Sequence, residues 1–231
     1  LPDTLAPPTP EQLATLRSVS TPTIANAIEQ LDVRPRGQGF TGPGVRCIYP
    51  NSGVMLGYAC TALILSGQPA APKRLVDRTQ YWEYTRRAPS PKVTVIQDLS
   101  PEPLGAYIGE VNAHIHIALG SVGILTNGTV RDVPEMKATG LHIFARDVSV
   151  SHAYAHLEDF NRQVKVFGMD VHPGDLIHAD VHGAVVIPHA IASEVAARGR
   201  AIEHAEKVII DLCRGGNFSL AQLDPLVSPE Y

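Results

Sequence analysis

Cysteine is scarce in this chain of 231 residues, which has only Cys47, Cys60 and Cys213. They are odd in number, far apart and without C-x-x-C spacing, so neither a disulfide framework nor a thiolate zinc site is suggested, which fits a reducing compartment. Cationic excess is missing as well. With 19 Lys and Arg against 23 Asp and Glu, the formal net charge of -4 provides no broad positive surface, and nucleic-acid binding by bulk electrostatics is set aside. The longest apolar run, Val54 to Leu65, is about half of the roughly 20 residues a membrane-spanning helix needs and contains Gly57 and Thr61. No membrane partner is expected, and with no charged-then-apolar signal at the start the expected location is the cytoplasm.

What is present is the composition of an ordinary globular chain, 44% apolar and 18% charged. One domain over residues 1–231 is expected, with an arm and short helix in 1–19, a core in 20–215 and a tail in 216–231. Prolines at 2, 7 and 8 make the first eight residues an extended arm. Thr9-Pro10-Glu11-Gln12 reads as an N-cap, an N1 proline and a capping-box glutamine. The same grammar at Thr21-Pro22 opens a second helix with Ile24, Ala25, Ile28 and Leu31 as its apolar stripe.

Gly37 to Gly42 matches the dinucleotide pattern G-x-G-x-x-G literally, but Arg34-Pro35-Arg36 precedes it and Pro43-Gly44 follows. The motif needs a strand before and a helix after, so this is a loop. Strands are expected at Val45 to Tyr49, Val54 to Leu65 and Lys92 to Gln97, with a helix at Arg74 to Arg87. Val54 to Leu65 is almost continuously apolar and therefore central. Leu141 to Ala145, Val148 to Val150, Val164 to Val171, Leu176 to Ala179 and Ala184 to Pro188 are short and closely spaced, which suggests a folded-over or barrel-like sheet region. Ser151 to Gln163 reads as a polar connection. Ile191 to Arg214 is the longest helix.

The chemistry concentrates between Gly109 and Asp132. Val111, Ile115, Ala118 and Leu119 share one helical face and Gly120 stops the helix. Gly123 to Thr126 has strand character, and the turn Asn127-Gly128 delivers Arg131 and Asp132. Glu110 in a first helical turn is favoured by the dipole whatever its function. The N–H groups of Val111, Asn112 and Ala113 at the same helix start form an anion site suited to a small carboxylate. Arg131-Asp132 is either a surface pair or a carboxylate-gripping arginine beside a metal-ligating aspartate.

Glu110, twenty further residues and then Arg131-Asp132 resemble the acidic-x20-Arg-Asp signature of the 4-hydroxy-4-methyl-2-oxoglutarate aldolase or RraA-like family. Gly123 to Asp132 is similar to that family's strand and turn, and Pro173 to Pro188 to its C-terminal hairpin. The resemblance implies an α/β fold, a swivelling ββα-type sandwich with N- and C-terminal helices, assembled as a homotrimer or a dimer of trimers. It also implies Mg- or Mn-dependent aldol cleavage of a 4-hydroxy-2-oxo acid to pyruvate, with oxaloacetate decarboxylation beside it. Carried over by residue, Asp132 would be the direct metal ligand, Glu110 would hold metal-bound water and Arg131 would bind the keto-acid oxygens. Val111, Asn112 and Ala113 would receive the carboxylate, and Glu206, preferred to Glu203, would reach the site of a neighbouring subunit. The family also includes inhibitors of ribonuclease E, so a non-catalytic regulator is the alternative.

Asn127 and Thr129 depart from the residues many aldolase members carry at the turn. A lysine Schiff base finds no lysine between Glu110 and Asp132. His114 and His116 fall on different helical faces, His152 and His156 share a face only if their segment is helical, and His178 and His182 flank Asp180 as candidate pocket residues.

Overall fold

The computed structural model describes residues 8–71, 76–216 and 218–227. Helices α1 (Pro10–Arg17) and α2 (Thr21–Glu29) lead into β1 (Arg46–Cys47), β2 (Met55–Leu65), α3 (Arg78–Arg87) and β3 (Lys92–Asp98). Then come β4 (Ala106–Ile108), α4 (Glu110–Ala118), β5 (Ser121–Thr126), β6 (Thr129–Val130), α5 (Val133–Lys137), β7 (His142–Ala145) and β8 (Asp147–Val148). The remainder is β9 (His156–Phe160), β10 (Val164–Val166), β11 (Met169–Val171), β12 (Leu176–Asp180), β13 (Gly183–Ile187), α6 (Ala192–Arg214) and α7 (Leu220–Leu223).

Local signals explain the helix starts. In α1 the Thr9 N–H donates to Gln12 Oε1 at 2.8 Å and the Gln12 N–H to Thr9 Oγ1 at 3.3 Å, the reciprocal capping box. In α2 the cap is Ser20, one residue earlier than the sequence reading. Thr21 is taken elsewhere: its N–H donates to buried Asp180 Oδ2 at 2.8 Å and its hydroxyl bonds His178 Nδ1 at 2.9 Å. Helix α3 starts at Arg78 behind an Asp77 cap; the expected start at Arg74 and Leu75 lies outside the described residues, as do residues 1–7 of the expected arm.

The main sheet runs β1-β7-β5-β3-β2-β12-β13, and β2, β3, β5 and β7 are parallel. β2 is central and buried along most of its length, as its apolar run required. The barrel-like expectation is corrected. The hairpin β12–β13 extends the same sheet as antiparallel strands, with Leu176 opposite Tyr58, while β10–β11 is a separate two-stranded hairpin. Three strands escaped the sequence reading. β9 occupies the supposed connection and pairs with the far end of β2, and β4 and β6 join β8 in a small parallel sheet.

Alternation along β2 splits the core. Leu56 and Tyr58 pack with Leu16, Ile24 and Val195 under α1, α2 and α6, and Ala62 and Ile64, of the same parity, pack with Tyr81, Ala113 and Met136 under α3, α4 and α5. Met55 and Ala59 point the other way, against Val164, Val166 and Met169 of the β10–β11 hairpin. The supposed tail carries α7 and a 3-10 turn at Asp224–Leu226. Among the described residues no helix is long and apolar enough to cross a membrane.

Candidate active site

Strands β4 and β6 run parallel, with Ala106 opposite Thr129 and Ile108 opposite Val130, and the Arg131 N–H donates to the Ile108 carbonyl at 3.0 Å. Their C-terminal ends therefore lie side by side. One feeds Gly109-Glu110 into α4, the other feeds Arg131-Asp132 into α5, and a spacing of twenty residues in sequence becomes a contact in space. Carboxyl ends of parallel strands are where α/β folds bind ligands.

At that junction Asp132 adopts a left-handed conformation (φ 54°, ψ 43°), one that aspartate and asparagine tolerate better than other non-glycine residues. Its Oδ2 accepts the Glu110 N–H at 3.0 Å and lies 3.6 Å from Arg131 Nε. Gly109 makes the approach possible. A Cβ at Gly109 would stand 2.4 Å from Asp132 Oδ2 and 3.0 Å from Arg131 Cγ, so the carboxylate occupies the space a side chain would take. The Asn127 side chain braces the turn, accepting the Asp98 N–H at 2.7 Å and donating to the Asp98 carbonyl at 3.0 Å. Thr129 is buried, with its hydroxyl unpartnered among the described residues.

The anion site is smaller than the sequence reading had it. The Ala113 N–H donates to the Gly109 carbonyl at 2.9 Å and the Ala113 side chain is buried, so that amide is committed. Asp132 takes the Glu110 N–H, and Val111 and Asn112 keep amides with no partner among the described residues. The helical face is corrected too. Ala113 and His116 are the residues of α4 that bury, whereas Val111, 73% exposed, and Ile115 turn toward a cleft.

That cleft has a volume of about 430 Å³, within the range of small-molecule sites, and Gly109, Val111, Asn112, Arg131 and Asp132 all line it. The Glu110 side chain is exposed beside it and bonds to no described residue. Lining residues that were not anticipated include Arg78 and Trp82 of α3, Tyr107 of β4 and His152. The i, i+4 spacing of Arg78 and Trp82, which puts both on one helical face, was the available signal. Burial raises the Tyr107 phenol above its ordinary pKa, and the nearby Arg78 charge partly opposes that shift.

The remaining candidates do other work. Glu203 and Glu206 lie on α6, which packs on α1 and α2, and within this chain neither lines the cleft. His178 is buried between the Thr21 hydroxyl and the Leu16 carbonyl, and His182 is tied to Asp180. His116 is buried against the Tyr81 hydroxyl while His114 is exposed. The segment holding His152 and His156 is not helical, and His156 pairs with Glu158 at 2.7 Å.

Among the described residues no three His, Cys, Asp or Glu side chains converge as a metal cage. Asp132 Oδ1 nevertheless has no protein partner among them, and Glu110 is a second carboxylate at the same helix start. This oxygen-only, open set suits a hard divalent cation that keeps most of its water, the usual manner of Mg.

Fold and site together define a mixed α/β protein with an arginine, a carboxylate and a helix start whose Val111 and Asn112 amides have no partner among the described residues, all brought together at parallel strand ends. The model of the RraA-like family (aldolase/RraA) matches residues 21–186, and the chain belongs to that family. An uncharacterized protein of Pseudomonas syringae shares the fold at 24% identity with a TM-score of 0.77, over 98% of this chain and 99% of that one. Streptomyces coelicolor RraAS2, described as an unusual member of the RNase ES inhibitor RraA protein family, does so at 22% identity and TM-score 0.71, over 88% and 98%. A Halalkalibacterium halodurans protein named "Putative 4-hydroxy-4-methyl-2-oxoglutarate aldolase" is 28% identical over 100 residues, 43% of this chain and 48% of that one. The matched stretch thus spans about half the length of that relative.

Proposed function

We propose that this chain is a divalent-metal-dependent carbon–carbon lyase. It cleaves a 4-hydroxy-2-oxo acid such as 4-hydroxy-4-methyl-2-oxoglutarate to pyruvate, with oxaloacetate decarboxylation as a side activity. The observation that carries the reading is the convergence of Asp132 and Arg131 on the start of α4, where the Val111 and Asn112 amides have no partner among the described residues.

The Val111 and Asn112 N–H groups receive the substrate's C1 carboxylate, aided by the positive end of α4. Arg131 presents its guanidinium to the 2-oxo oxygen, where negative charge develops as the C3–C4 bond breaks and its electron pair passes into the pyruvate enolate. Glu110 accepts, through water, the proton lost by the 4-hydroxyl; protonation of the enolate at C3 completes the balance. Asp132 and Glu110 would hold the Mg or Mn ion, which supplies Lewis-acid stabilisation of that same charge. Decarboxylation of oxaloacetate passes through the same enolate and needs no further group.

Assembly as a homotrimer or a dimer of trimers belongs to this proposal, with Glu206 of the partner subunit completing the cleft. Exposed apolar side chains beyond β8, with Val150 99% exposed and Tyr154 52%, support contact between copies. The alternative is a ribonuclease-binding regulator, as the description of the Streptomyces structure suggests for that protein. A regulator has no need of a carboxylate seated over a glycine in a cleft, and this favours the enzyme.

The test is pyruvate release from 4-hydroxy-4-methyl-2-oxoglutarate and from oxaloacetate with and without Mg, for the native chain and Arg131→Gln. Metal-stimulated turnover that falls in the variant supports the proposal. Absence of metal-stimulated turnover of either acid, together with tight ribonuclease E capture, reverses it in favour of the regulator.

A further inference from the structure

Arg78 stands in the first turn of α3, where a cation is opposed by the helix dipole, and among the described residues it forms no ion pair or hydrogen bond. The other arginines of this helix behave differently. Arg86 and Arg87 lie in the last turn, where the dipole favours them, and both pair with Glu83, at 2.7 and 2.6 Å. Helix stability therefore accounts for Arg86 and Arg87 and leaves Arg78 unexplained. Arg78 belongs instead to the wall of the cleft that Arg131 and Asp132 share, and its charge lies close enough to Tyr107 of the same wall to act on that phenol.

The charge of that cleft is unbalanced in consequence. Asp132 is the one carboxylate among its described lining residues, it faces Arg131, and a second full positive charge remains at Arg78. Near it, Tyr107 has a hydroxyl with no hydrogen-bond partner among the described residues, and Trp82 and Ile115 supply apolar wall for a short carbon chain. A guanidinium with its donors free matches a carboxylate in two-point geometry.

We infer that Arg78 is a specificity residue of this site: it holds a second carboxylate, at the end of the substrate remote from the 2-oxo acid group, and so selects dicarboxylic 2-oxo acids. The inference rests on the proposed seating of the first carboxylate at the Val111 and Asn112 amides. Tyr107 adds a hydroxyl donor to the same distal group.

Calorimetric titration in the presence of Mg with 2-oxoglutarate and 2-oxopentanoate, which differ by the distal carboxylate, tests it without any turnover. The native chain should bind 2-oxoglutarate roughly 10- to 100-fold more tightly, the scale of a charge-assisted hydrogen bond. Arg78→Gln should erase that preference and leave 2-oxopentanoate affinity within about twofold, with Arg78→Lys in between. Equal loss for both acids would mean that Arg78 merely shapes the cleft, and would overturn the inference. So would a native chain that binds neither acid or does not discriminate between them. A preference that depends on Arg78, in a protein that releases no pyruvate from 4-hydroxy-4-methyl-2-oxoglutarate, would remove the lyase reading and keep the distal subsite.

Discussion

Asp132 reaches across two strand ends to accept the backbone N–H of Glu110 at 3.0 Å, and it does so through space that Gly109 leaves empty. The contact joins the two halves of the candidate site. It fixes the carboxylate while leaving Oδ1 without a protein partner among the described residues, and it leaves the next two amides of α4 to an incoming anion.

Gly109→Ala tests the role of that empty space. Gly109 has φ -139° and ψ -169°, a conformation open to any residue, so the substitution strains no torsion. Its methyl group would instead displace the Asp132 carboxylate. Activity is expected to fall by roughly 100-fold, the scale of a misplacement of about 1 Å, with thermal stability nearly unchanged. Equal activity in steady-state assays would show that the seating of Asp132 does not matter.

Gly57→Ala addresses the fold alone. A Cβ at Gly57 would lie 2.7 Å from the Pro91 carbonyl oxygen, and backbone paired between β2 and β3 has little freedom to give. Overpacking of this kind costs about 1–3 kcal/mol, readable as a lower urea midpoint. An unchanged midpoint would contradict the packing described for the central strands.

Acid should loosen the protein through its buried histidines. Burial lowers the pKa of His178 and of His116, the leading cause in each case. The unfolded chain therefore takes up these protons first, at about the ordinary value of 6.5. Stability is fully present above that pH and declines as pH falls through it, by up to about 1.4 kcal/mol per pH unit for each group. Urea unfolding between pH 7.5 and 5.5 should show the decline, and His178→Gln should flatten it while lowering stability at pH 7.5 through the lost Thr21 and Leu16 contacts. The same slope in the variant would assign the acid sensitivity to other groups.

Signals that are local in the chain were legible in the sequence. The Thr9–Gln12 capping box, the apolar run of β2, the Asn127-Gly128 turn and the long α6 all specify themselves within a few residues. Features set by distant partners were not. β9 has the polar text His-Leu-Glu-Asp-Phe and is a strand because β2 offers it a free edge; β4 is three residues long and exists through its pairing with β6. The site divides in the same way. Glu110, Arg131 and Asp132 were visible because their spacing resembles the family's signature, whereas Arg78 lines the cleft through the packing of α3, of which its i, i+4 spacing with Trp82 was the one local sign. Ala113 was assigned an open amide because a helix start has several, and the Gly109 carbonyl closes that one.

The most direct measurement is the Mg-dependent release of pyruvate from 4-hydroxy-4-methyl-2-oxoglutarate by the native chain and by Asp132→Asn. Asparagine tolerates the left-handed conformation and can still accept the Glu110 N–H, so the variant removes the charge and preserves the turn. The account predicts metal-stimulated turnover by the native chain and a loss of roughly 100-fold or more in the folded variant. Turnover that is indifferent to Asp132→Asn, or a native chain that releases no pyruvate with Mg or Mn, would contradict it.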